Sequence, residues 1–420
     1  MSMSKKEFHR SIFMYLIASL FLIYEMGIQV SPSVMTHDLM RDFNVNAAVL
    51  GIMVSAYFYS YTLMQIPAGI LYDHFGPRTL LSIAAVLCSL GTLFFAGTET
   101  VYAAAFGRFL MGIGSAFAFV GVLVIAARWF DGKYFAFLVG MTQLLSVLGA
   151  ICGAAPLAKG VDILGWRGMM YVLVVIGLVL SGLAVIFLKD RPEHMHRDFL
   201  KPEKHLWRHL KQVVGQGQTW ALAVYAFSGW GPVIVFAALW GVPYLMQRYG
   251  ITNVTASFAT MLMLLGGGLF SPVIGYLSNR MKRRLPLLWI GSALGCVTSV
   301  LMLTLPEIPF WGVAGLLFLM GVGTSVHTLT FAIVQDINKP TVTATGMGFN
   351  NMAVVIGGAL LQPLVGFILT KAWDGTIVDG VPVYQVANFE TALFIIPIIY
   401  LIGLLFSLFF IKETHCKSKY

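Results

Sequence analysis

Twelve predominantly apolar stretches of about 20 residues or more recur along this chain, at approximately 11–35, 47–71, 79–98, 101–127, 135–158, 167–188, 219–246, 255–278, 285–305, 310–334, 343–370 and 389–411. A bilayer core about 30 Å thick offers backbone amides no partner, so segments of this length and polarity cross it only as helices. An all-α membrane protein with 12 transmembrane helices is therefore expected. Charge content agrees: Lys, Arg, Asp and Glu make up 11% of the residues, less than half of the roughly 25% typical of soluble domains. High hydrophobicity likewise excludes a disordered chain. The first stretch follows Lys5, Lys6 and Arg10 as a signal peptide would, but it is too long, carries Glu25 and Gln29, and has no small-residue cleavage site. It reads as a retained helix.

Basic residues report sidedness. With the N-terminus inside, 21 of the 27 Lys and Arg residues fall in segments on that side. Arg41, Lys159, Arg167, Arg248 and Lys371 fall on the other, and Arg108 lies within a span. The positive-inside rule then puts both termini in the cytoplasm of a bacterial inner membrane. The net charge of +9 is a topological signal, not the clustered basic face that nucleic acid requires. The longest polar stretch, 189–218, separates six spans from six: a bundle over 1–188, a cytoplasmic linker, and a bundle over 219–420. Residues 206–214 read as a short amphipathic helix on anionic membrane lipids, and His194, His196, His205 and His209 as part of a solvated basic linker. Cys88, Cys152, Cys296 and Cys416 form no CxxC pair, and no metal, disulfide or other cofactor is expected.

Self-comparison exposes a duplication. An offset of 206 residues superposes Gly69 on Gly275, Arg78 on Arg284, Leu39 on Leu245, Met40 on Met246, Phe43 on Tyr249, Val45 on Ile251 and Gly140 on Gly346. The string FLMGIG at 109–114 recurs as FLMGVG at 318–323. Because six is even, the two copies run parallel through the membrane, giving two pseudo-symmetric six-helix bundles.

Gly69-Ile-Leu-Tyr-Asp73-His74-Phe-Gly76-Pro77-Arg78 resembles the loop 2–3 signature of the major facilitator superfamily, of the type G-x-x-x-D-R-x-G-R-R, with His74 and Pro77 as departures. In its copy, Gly275 to Arg284, Asn279 stands for the acid and Lys282 for the second glycine. Arg108-Phe-Leu-Met-Gly112-Ile-Gly114 resembles the helix 4 signature. The first half, with YFYSYTLMQIPAGILYDHFGPR and GRFLMGIGSAFAFVG, is also similar to the branch containing lysosomal dipeptide transporters and transporters of intracellular bacteria. The resemblance implies a monomeric secondary transporter and no enzyme, working by rocking of two bundles around a midplane site. It also implies a cavity lined by helices 1, 4, 7 and 10 and a loop 2–3 latch. The residues themselves leave two readings of that loop. Gly69 and Gly76 permit tight turns and close approach to a neighbour, and Asp73 pairs with Arg78 or Arg128 in one state of a gate; otherwise it is a simple turn bearing positive-inside charge.

Ionisable groups within the bilayer are expensive and mark function by default. Three stand away from span ends: Glu25, Arg108 and His327. Glu25, with Gln29 one turn on, carries a coupling proton, binds a substrate ammonium, or neutralises Arg108. Arg108, with Gly112 and Ser115 clearing its face, clamps a carboxylate or phosphate or forms a structural ion pair. His327, between Thr324 and Thr330, is a proton site or a hydrogen-bonded core residue. Tyr57, Tyr61 and Gln65, Gln143 and Ser146, Tyr225 and Trp230, and Asn350, Asn351 and Gln362 are polar stripes that orient a ligand or bond between helices. A cation acceptor and an anion clamp in one cavity suit a zwitterion such as an amino acid or short peptide, moved with protons. An organic anion or carboxylate siderophore is the alternative, and a non-transporting membrane sensor is the alternative class.

Overall fold

The computed structural model of the protein describes residues 5–130, 132–190, 211–338, 340–378 and 381–417. The linker histidines and residues 206–210 thus lie outside the described residues. Each apolar stretch becomes helical: Lys5–Val30, Ala47–Gly97, Val101–Ser115 continued by Ala118–Trp129, Gly132–Cys152, and Ala155–Phe187. The second half follows with Gly217–Val235 continued through Tyr249, Asn253–Met281, Leu285–Thr304, Phe310–Thr324 continued to Ile337, Pro340–Ala372, and Val386–Leu393 with Ile395–Phe409. Among the described residues, 11 apolar helical stretches are long enough to cross a bilayer, and one of them, Gly140–Phe187, is 48 residues long and holds two crossings. The architecture is thus all-α, with 12 transmembrane helices in two six-helix bundles.

Two glycines make abrupt reversals between spans. Gly76 (φ 74°, ψ 162°) breaks Ala47–Gly97 and Gly165 (φ 70°, ψ 163°) breaks Ala155–Phe187, conformations that a Cβ disfavours. Gly69 makes no turn, contrary to expectation; the second span continues as helix to Gly76, anchored by the Tyr72 hydroxyl on the Phe117 carbonyl at 2.6 Å. In the second copy, Gly275 is likewise helical and Lys282 adopts the left-handed turn at φ 51°. The duplicated geometry therefore survives loss of the glycine.

Burial is inverted relative to a water-soluble protein. Glu25, Arg108, His327, Asn350 and Gln362 are buried, whereas Leu63, Ile186, Trp311 and Phe409 are at least 70% exposed, as a lipid-facing surface requires. Contacts divide the chain into two compact units. One comprises Met1–Gln29, Ala56–Gly153 and Lys159–Lys204; the other comprises Val30–Ser55, Ala154–Ala158 and His205–Tyr420.

Within each unit the repeated glycines let helix backbones touch, the usual device where lipid removes a hydrophobic drive between helices. In the first, Gly112 meets the Tyr57 carbonyl and Ser60, and Gly114 meets the Ala84 carbonyl. In the second, Gly321 meets the Met263 carbonyl and Gly323 the Gly291 carbonyl. The second unit also holds the start of span 2. The Ala47 amide donates to the Tyr384 hydroxyl at 2.9 Å and the Ala48 amide to Thr370 Oγ1 at 3.0 Å. Ser55 Oγ donates to the Gly358 carbonyl at 3.0 Å.

A single helix supplies a test of this packing. A Cβ on Gly323 would stand 2.7 Å from the Gly291 carbonyl oxygen and 3.0 Å from the Gly295 amide, whereas one on Gly315 would meet nothing within 4 Å. Gly323→Ala is expected to cost about 1–3 kcal/mol through overpacking, and Gly315→Ala to gain roughly 0.5–1 kcal/mol of helix propensity. Thermal unfolding in detergent should move in opposite directions for the two variants.

Candidate functional site

Three of the predicted residues of the first unit meet around one ring. Glu25 and Tyr57 are 0% exposed and Arg108 1%. The Tyr57 hydroxyl donates to Glu25 Oε1 at 2.6 Å, and the Arg108 guanidinium lies over the face of the same ring, 4.7 Å from its centroid. Gly112, one turn beyond Arg108, brings span 4 against the Tyr57 backbone, and Ser60 Oγ ties the two helices by donating to the Phe109 carbonyl at 2.7 Å. Tyr61 stacks on Tyr57 with centroids 5.8 Å apart.

Arg108 is held without a carboxylate. Its terminal nitrogens reach the Ile28 carbonyl at 3.1 Å and the Gln29 carbonyl at 3.5 Å. Both lie in the last turn of Lys5–Val30, where carbonyls lack helical partners and the helix dipole presents partial negative charge. Met111 Sδ accepts from the same guanidinium at 3.6 Å, and cation–π attraction to Tyr57 adds to these. Arg108 Nε and Glu25 Oε2 are buried and have no hydrogen-bond partner among the described residues. No described carboxylate is within the 4.0 Å of an ion pair with Arg108. The reading in which Glu25 directly neutralises Arg108 therefore gives way to an arrangement with Tyr57 between them. Gln29 is buried and takes part through its carbonyl.

In the second unit, His327 sits in a 3-10 turn, Ser325–Thr328, inside span 10. Its Nδ1 lies 2.8 Å from the Thr324 carbonyl, and the Trp230 ring covers it at a centroid distance of 5.0 Å. The Thr324 hydroxyl turns away to Tyr400 at 2.6 Å. Thr330 accepts from Asn350 Nδ2 at 2.8 Å, leaving Asn350 Oδ1 buried without a partner among the described residues. Asn351 and Gln143 are half-buried. Three stripe residues serve local or interhelical bonds: Tyr225 donates to the Leu288 carbonyl at 2.8 Å, Gln362 Nε2 to the Ile234 carbonyl at 3.1 Å, and Ser146 to the Thr142 carbonyl at 3.0 Å.

At the ends near the termini, the loop residues take partners that the sequence reading did not name. The Asp73 side chain lies outside the described residues. Asp190 Oδ1 accepts the Arg78 amide at 2.9 Å, while Arg78 Nε donates to the Val185 carbonyl at 2.9 Å. Arg128 donates to the Tyr72 carbonyl at 2.9 Å. In the copy, Glu413 Oε2 accepts the Arg284 and Leu285 amides, each at 2.9 Å. Partial burial raises the Glu413 carboxyl, but the Leu285, His415 and Arg284 amides outweigh it and hold the group below the usual carboxylate range. Arg284 pairs with Asp336 at 2.8 Å, whose Oδ2 also accepts the Thr414 hydroxyl at 2.6 Å. Asn279 is exposed. Asp190 and Glu413 end a second internal repeat, Phe187-Leu-Lys-Asp190 against Phe410-Ile-Lys-Glu413, and each carboxylate caps the helix that follows its unit's loop.

Comparison with known proteins agrees with this architecture. The model of the Major Facilitator Superfamily matches residues 16–242 and 233–419. The chain is 22% identical over 410 residues to a probable galactarate/D-glucarate transporter, GudP, of Escherichia coli (strain K12), covering 87% of this chain and 89% of that one. It is 22% identical over 386 residues to the hexuronate transporter of Bacillus subtilis (strain 168), covering 85% and 88%. Among solved structures, an inward-facing, unoccupied bacterial homolog of the human lysosomal transporter Spinster superposes with a TM-score of 0.78 at 14% identity over 97% of each chain, a likeness of fold alone. With the family model spanning both halves, the chain belongs to the Major Facilitator Superfamily.

Proposed function

We propose that this protein is a secondary active transporter that moves a small organic acid, of the aldarate or hexuronate kind, across a bacterial inner membrane by alternating access. The observation that carries it is Arg108: a fully buried guanidinium that has, among the described residues, no carboxylate in ion-pair reach and no partner for its Nε donor. An unpaired buried cation is costly, and a planar fork of donors is the group best suited to a carboxylate ligand. The relatives named for acids support the same reading. An amino acid or peptide fits less well: Glu25, the candidate for its ammonium near Arg108 among the described residues, already accepts from Tyr57 through Oε1, and the relatives reported above are named for acids.

Glu25 carries the coupling proton in this reading. The two bundles, over 1–188 and 219–420, rock around the site as a monomer, and both termini face the cytoplasm. Arg78 with Asp190, and Arg284 with Asp336 and Glu413, hold the cytoplasmic loops of their own units.

Three measurements bear on this. Purified protein should be stabilised against heat by D-glucarate, galactarate or D-glucuronate and not by glycylglycine. Arg108→Gln should weaken that binding about 10- to 100-fold, the equivalent of a charged hydrogen bond worth about 1.5–3 kcal/mol. In proteoliposomes, an inward proton gradient should accelerate uptake of the bound acid, and Glu25→Gln should abolish the acceleration; uptake indifferent to the gradient excludes proton coupling. For orientation, Thr376→Cys in a cysteine-free background should react with an impermeant maleimide in spheroplasts, and Lys189→Cys only after lysis.

A further inference from the structure

We infer that Tyr57 is a positioning residue that couples the anion site at Arg108 to the proton site at Glu25, its hydroxyl serving the carboxylate while its ring face carries the guanidinium. The inference rests on the organic-acid reading above. Glu25 and Arg108 do not meet, and Tyr57 is the side chain that touches both, at 2.6 Å through oxygen and at 4.7 Å through the ring.

The ring is fixed. It is 0% exposed, stacked on Tyr61 and edge-packed on Phe58 with centroids 5.8 Å and 5.1 Å away. Its backbone abuts Gly112. Motion of either charged partner is therefore transmitted as a change in bonding at the other rather than absorbed by free rotation. A cation over the ring draws electron density from the phenol and strengthens its O–H as a donor, which supports an ionised Glu25. When an organic acid binds Arg108, its carboxylate cancels that charge, the phenol becomes a weaker donor, and Glu25 takes a proton from solution. The orphaned Glu25 Oε2 is the atom free to receive it, and no other bond forms or breaks. By linkage, a proton on Glu25 strengthens acid binding by the same factor. Among the described residues, the titratable groups that face Glu25 are Tyr57 and Tyr61 from span 2 and Cys88 from span 3; Arg108 from span 4 lies behind the Tyr57 ring. Arg108 is the one that an incoming anion would neutralise.

The test uses whichever of D-glucarate, galactarate and D-glucuronate binds most tightly. Proton uptake per acid bound is read with a pH indicator in weakly buffered detergent solution, beside the dissociation constant. Wild type should take up protons on binding, and Glu25→Gln should take up none. Tyr57→Phe, which keeps the ring and loses the hydroxyl, should cut uptake per bound acid by at least half while weakening binding by less than about fivefold. Tyr57→Leu, which loses both, should weaken binding at least fourfold more than Tyr57→Phe. Full proton uptake in Tyr57→Phe overturns the inference and leaves the anion site standing. Unchanged binding in Arg108→Gln overturns the organic-acid reading itself. Infrared difference spectra of wild-type protein guard against a misfolded variant: acid binding should produce a protonated-carboxyl band that is missing in Glu25→Gln, and its absence from wild type also refutes the coupling.

Discussion

A buried guanidinium held by two helix-end carbonyls and an aromatic face, with no carboxylate partner among the described residues, governs the first unit of this protein. Arg108 cannot shed its charge at any ordinary pH, so the surrounding spans must be arranged to tolerate it. The last turn of span 1 supplies oxygens that no helix can satisfy. Tyr57 supplies a ring, and Gly112 allows span 4 to come close enough for both. Removing any of these leaves the charge less compensated.

The duplicated fold is used asymmetrically. Gly112 and Gly321, and Gly114 and Gly323, make equivalent contacts in their own units, and the left-handed residue after each second loop helix falls at Gly76 and Lys282. Arg108, by contrast, corresponds to Leu317. Packing positions are copied because backbone contact tolerates only glycine there. Chemical positions diverge because nothing in the packing requires them to match.

Most of the fold was legible in the sequence, since span length, basic sidedness and a repeat of glycines each act through physics that a linear reading captures. The intramembrane list was legible too: scarcity of charge leaves Glu25, Arg108 and His327 exposed to view. What the sequence could not show was the ring between the first two. Side-chain direction across helices depends on how closely backbones approach, and the even apolarity of these spans leaves little periodicity from which to read a face. Asp190 and Glu413 were missed for a different reason. Their four-residue repeat lies at an offset of 223, away from the 206 of the loop glycines, so an alignment fixed on one set hides the other. Of the two glycines read as turning or packing closely, the turn falls at Gly76 alone, because a glycine in a membrane helix serves close approach as readily as a turn.

The start of span 2 has a consequence for how such a chain is made. Amides of its first turn, Ala47 and Ala48, are satisfied by Tyr384 and Thr370, residues synthesised more than 300 positions later. Until the ribosome has delivered span 11 and the loop after it, those donors lack these partners and depend on water at the membrane surface. Completion of the first turn of span 2 thus waits on residues of the penultimate span and the loop beyond it.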